Sequence, residues 1–83
     1  MRVLIVDDSS TMRRIIANTL KNLGYDDVVE AGDGTEGLQH VSAGKPDLIL
    51  TDWSMPTMDG CEFVRTLRTQ AGMETVPVLM VTT

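Results

Sequence analysis

Eighty-three residues, 42% hydrophobic and 23% charged, make one globular domain and leave no room for a second. A net charge of -5 repels nucleic-acid phosphates and anionic lipid, and no apolar run approaches the ~20 residues that cross a bilayer, so neither partner is expected. The lone Cys61 cannot close an internal disulfide and Met1 runs into a strand pattern without a signal-peptide succession, which makes the cytoplasm the expected compartment.

Val3 to Val6 is a continuous β-branched and apolar run that reads as a strand buried on both faces, ended by Asp7, Asp8, Ser9 and Ser10. Met12, Ile15, Ile16, Leu20 and Leu23 then recur at spacings of three and four, which predicts a helix, and Gly24 stands where helices commonly end in a left-handed residue. Val28 to Ala31 predicts a second strand. Thr35 to Ala43 predicts a second helix with Leu38 and Val41 inward. Gly37 in its middle costs about 1 kcal/mol relative to alanine, so that helix must rely on packing.

Leu48 to Thr51 predicts a third buried strand that delivers Asp52 at its C-terminal end. A loop holding Pro56 and Gly60 follows, then a helix marked by Phe63, Val64 and Leu67 that runs until Gly72. Val78 to Val81 is the fourth strand, with Thr82 at its end. Strands alternating with helices predict an α/β fold, a doubly wound parallel sheet of flavodoxin-like order 2-1-3-4 with three helices. Ligands bind such sheets at the carboxyl ends of the strands, where Asp7, Asp8, Asp52 and Thr82 are expected.

Carboxylates brought together from two neighbouring strands must be neutralised: two unit charges ~5 Å apart repel by about 3 kcal/mol at an effective dielectric of ~20. A hard divalent cation such as Mg2+, which takes oxygen ligands and keeps several waters, does this and leaves room for a phosphate oxygen. An aspartate beside it can attack phosphorus in line, and Thr82 can donate a hydrogen bond to the product.

The segments VLIVDDSSTMRRII, LILTDWSMPTMDG and PVLMVTT resemble receiver domains of the response-regulator family, chemotaxis regulators above all, over the whole chain. The resemblance implies two-component signalling, with Asp52 as phosphoacceptor for a histidine kinase and Thr82 as switch hydroxyl. It also implies Asp8 and Asp52 as direct Mg2+ ligands, Asp7 acting through water, the Ser54 carbonyl completing the set, and a downstream target protein. No enzyme is implied beyond a protein that catalyses its own phosphorylation.

Family members continue into a helix, a fifth strand ending in a lysine, and a last helix. The resemblance therefore implies a receiver, residues 1–83, that is truncated, either as a shortened form or with its remainder outside this sequence. Impaired transfer and switching are expected without the lysine, and self-association through the fourth strand or the bare sheet face is expected without the last helix.

Three other readings compete with this one. Haloacid-dehalogenase-like phosphatases place a second aspartate two residues after the nucleophile, where this chain has Ser54. A dinucleotide site lacks its G-x-G-x-x-G after the first strand. An inert, self-associating receiver remnant or interaction module is the alternative that the missing lysine favours. Arg13 and Arg14 flank the acidic loop as candidates for kinase docking or as ordinary helix-surface residues, His40 reads as solvated, and Cys61 as an apolar filler.

Overall fold

A computed structural model describes residues 1–55 and 58–81. Its elements in chain order are β1 (Arg2–Val6), α1 (Ser10–Asn22), β2 (Asp27–Ala31), α2 (Gly34–Ala43), β3 (Leu48–Asp52), α3 (Gly60–Arg68) and β4 (Val78–Val81). All pairings are parallel and the sheet order is β2-β1-β3-β4, the flavodoxin-like order expected for this doubly wound sheet.

The alternation of side chains along β1 and β3 divides the core between the two faces of the sheet. Leu4, Val6 and Ile49 face α2 and α3 and join Val41, Phe63 and Leu67 in the larger cluster. Val3 and Ile5 face α1 and meet Ala17, with Ile16, Leu20, Leu48 and Leu50 around them. β1 is therefore apolar on both sides, and burying each such side chain is worth about 1.5–3 kcal/mol.

Helix ends follow their sequence signals. Ser9, Asp33 and Asp59 each cap a helix by accepting from the backbone N–H three residues on, and Gly24 beyond α1 has φ +100°. α3 stops at Arg68, short of Gly72, where Thr69 and Gln70 N–H turn back in i−3 bonds to Thr66 and Leu67. The Arg68 guanidinium donates to the Met73 and Val76 carbonyls and ties that connection down.

The stripe of Met12, Ile15, Ile16, Leu20 and Leu23 is not all inward, because Ile15 and Leu23 are 54% and 71% exposed while Ala17 is buried. The sheet meets α1 along the Ile16, Ala17 and Leu20 line, and the outer edge of the stripe faces away from it. In α2 the interior glycine has a packing reason, since a Cβ on Gly37 would lie 3.0 Å from both Phe63 and Val6.

Candidate functional site

Parallel register sets the site. Val6 on β1 pairs with Thr51 on β3, so Asp7 and Asp52 each stand one residue further along adjacent strands, about 4.8 Å apart in the pairing direction. Both continue the parity of Ile5 and Leu50, which aims them to the α1 side. Asp8 follows as the chain turns into α1. One carboxylate oxygen from each of Asp7, Asp8 and Asp52 lies within 4.8 Å of the others.

The three acids differ in setting. Asp7 is buried, Asp52 is half-buried and Asp8 is exposed. Asp7 is fixed on three sides: its N–H donates to the Ala31 carbonyl at 3.1 Å, its Oδ1 accepts from the Ser9 N–H at 2.8 Å, and its carbonyl accepts from Arg13 Nη1. Burial pushes the Asp7 carboxyl above its ordinary value, the Ser9 N–H opposes that shift, and the nearby Asp52 and Asp8 reinforce it. An all-oxygen, negatively charged donor set of this kind fits a hard cation such as Mg2+.

The loop from β3 to α3 follows Asp52 directly in the chain. The Gly60 N–H donates to the Trp53 carbonyl at 2.9 Å and closes that loop. A Cβ at Gly60 would approach the Asp52 carbonyl oxygen to 2.4 Å, so only glycine lets α3 begin this close to the Asp52 backbone. Ser54 and Trp53 are exposed beside it. Thr82 lies outside the described residues.

The expected grouping of Asp7, Asp8 and Asp52 is thus what the chain assembles. Arg13 is different from its expected place on the helix surface: its side chain is 19% exposed and turned inward, while Arg14 stays in solvent. Its position in the first turn after the aspartates was the available signal, but its partner Glu30 comes from β2, which spacing alone does not bring near. His40 is partly exposed and lies 3.7 Å from Glu36, one turn before it on α2.

Residues 3–83 match the response regulator receiver domain family. The chain belongs to the response-regulator receiver family. This receiver is 48% identical over 84 residues to the chemotaxis protein CheY1 of Helicobacter pylori, and 49% identical over 82 residues to the chemotaxis protein CheY of Pseudomonas aeruginosa. Those alignments take in 100% and 99% of the receiver chain and 68% and 66% of the two relatives. Among solved structures it superposes on Vibrio cholerae CheY4 with a TM-score of 0.91 at 40% identity, over 95% of its own length and 65% of that chain. The receiver fold and the kinship to chemotaxis regulators of two-component signalling stand on these matches. Among the described residues no helix is long and apolar enough to cross a membrane.

Proposed function

We propose that this receiver takes a phosphoryl group onto Asp52 from the phosphohistidine of a histidine kinase, in a chemotaxis-type pathway of the cytoplasm. The convergence of the Asp7, Asp8 and Asp52 carboxylates at the carboxyl edge of the sheet carries the reading. Asp8 and Asp52 would hold Mg2+ directly, Asp7 through water, and the Ser54 carbonyl would complete the protein ligands. When bound, that ion supplies positive charge against the carboxylates and the phosphoryl oxygens.

The chain's own residues do the rest. A carboxylate oxygen of Asp52 forms a new bond to phosphorus as the P–N bond to the donor imidazole breaks, and the bonding pair leaves with the imidazole nitrogen. Asp7, anchored by Ser9 and by the Ala31 carbonyl, keeps its place while Asp52 is consumed as nucleophile. Thr82, next in sequence after β4, is the proposed hydroxyl donor to the new phosphoryl group, and a downstream protein would read the change.

Incubation with a small phosphodonor and Mg2+, followed by intact-mass measurement, tests the reading. The expected result is a gain of one phosphoryl group that disappears in Asp52→Asn. No gain in the wild-type chain, despite Mg2+ binding, would overturn it and favour the second reading. That second reading is an interaction module that self-associates: β4 is an edge of the described sheet and exposes Leu79 and Met80. Sedimentation as a compact monomer at micromolar concentration would exclude it.

A further inference from the structure

We infer that Arg13 is a positioning residue of the acidic site, whose guanidinium clamps the peptide plane between Asp7 and Asp8 and so sets where the Asp8 carboxylate points. The inference rests on the phosphoacceptor reading of that site.

The guanidinium reaches three segments at once. Nη1 donates to the Asp7 carbonyl at the end of β1, and Nε lies 3.4 Å from Glu30 Oε1 on β2. The same Nη1 would be 3.6 Å from a Cβ on Gly32, whose N–H is held by the Glu36 carboxylate of α2 at 3.2 Å. Arg13 itself is fixed at its backbone, where its N–H donates to the Ser9 carbonyl at 3.0 Å in the first turn of α1.

The Asp7 carbonyl and the Asp8 N–H belong to one rigid peptide unit, so holding the oxygen also fixes the plane from which the Asp8 side chain departs. Asp8 is otherwise exposed and needs such a hold if it is to serve as a ligand. Among the described contacts the guanidinium engages the Asp7 carbonyl and the Glu30 carboxylate, and no salt bridge joins it to Asp7, Asp8 or Asp52. Its role is therefore geometric. Nε is buried and faces Glu30 Oε1 at 3.4 Å without hydrogen-bond geometry, so that contact is one of charge, and the described hydrogen bond of the guanidinium is the one Nη1 gives to the Asp7 carbonyl.

Two measurements on Arg13→Met, Arg13→Lys and Glu30→Gln test this. In metal-free protein, amide exchange at Asp8 and Ser9 is expected to quicken about tenfold in Arg13→Met relative to the β1 and β3 amides, and to stay near wild type in Arg13→Lys, whose ammonium can still donate to the carbonyl. In Mg2+ titrations followed by Trp53 fluorescence, Arg13→Met should weaken binding about tenfold, Glu30→Gln less, and Arg13→Lys should restore most of the affinity. Glu30→Gln changes a part-exposed position and keeps the test open if Arg13→Met fails to fold. Unchanged exchange at Asp8 and Ser9 in a folded Arg13→Met chain overturns the inference, as does unchanged Mg2+ affinity. The exchange arm needs no metal, so a wild-type chain that fails to bind Mg2+ sinks the phosphoacceptor reading while exchange still decides the clamp.

Discussion

Val6 and Thr51 are the last residues that β1 and β3 pair, and their register carries the site, because it brings the next residue of each strand, Asp7 and Asp52, side by side. A slip of one residue in this pairing would turn one carboxylate to the opposite face of the sheet. Apolarity on both faces of β1 would survive that slip, so the fitted packing of Leu4 and Val6 in the cluster with Phe63 and of Val3 and Ile5 in the cluster with Ala17 is what opposes it. Core packing and site geometry are thus one constraint.

Burial of Asp7, reinforced by the nearby Asp52 and Asp8, should show in the metal-free protein as a pH-dependent cost. Its folded-state pKa is raised, so between the ordinary carboxylate value near ~4 and that raised value the native state binds more protons than the unfolded one, and stability falls as pH rises. Asp7→Asn keeps an oxygen for the Ser9 N–H and removes the charge. It should be more stable than wild type at pH 7 by about 1 kcal/mol, roughly 4–8 °C in melting temperature, with the advantage fading on acidification to pH ~4. Thermal melts of both proteins across that range check the sign.

Magnesium should reverse the order. At a hundred times its Kd a ligand specific for the native state adds about 2.7 kcal/mol, so wild type should gain stability with Mg2+ while Asp8→Asn and Asp52→Asn gain little. Melting each with and without the ion measures this. Equal gains in all three would place the cation elsewhere.

Gly37→Ala sets two effects of similar size against each other. Alanine favours a helix interior by about 1 kcal/mol, but its Cβ would meet Phe63 and Val6 at 3.0 Å, and both are fully buried and unable to give way. Overpacking typically costs about 1–3 kcal/mol, so net destabilisation is expected, visible as a lower urea midpoint at unchanged m-value.

Phe63→Ala removes the ring that α3 sets against α2 and the sheet, at a site with no exposed surface. A loss of about 3–5 kcal/mol is expected, enough to unfold much of a domain this small at 37 °C. Circular dichroism at 25 and 37 °C distinguishes the two temperatures directly.

The strands and helices were legible because apolar runs and three-four spacing report burial directly, while the strand order came from the flavodoxin-like fold and not from alternation itself. The meeting of Asp7, Asp8 and Asp52 was legible through that order, since Asp7 and Asp52 close the apolar runs of the two strands it makes neighbours and Asp8 follows Asp7. Ile15 and Leu23 were not, because periodicity shows that a helix has an apolar stripe but not how wide a surface lies beneath it. Arg13 was missed because an arginine's destination is decided by partners brought from another strand. Gly60 gave a loop signal, yet its close approach to the Asp52 carbonyl is a property of the folded backbone alone.

The central place of β1 has a consequence for how the molecule comes into being. On the ribosome the first aspartates are made early, yet their strand waits for residues 48–52 before its second neighbour exists, and closing so long a loop is slow. A chain with β1, α1 and β2 alone would hold Asp7 and Asp8 with an open flank and no Asp52, so affinity for a divalent ion should emerge only when β3 joins β1, making it a gauge of that pairing.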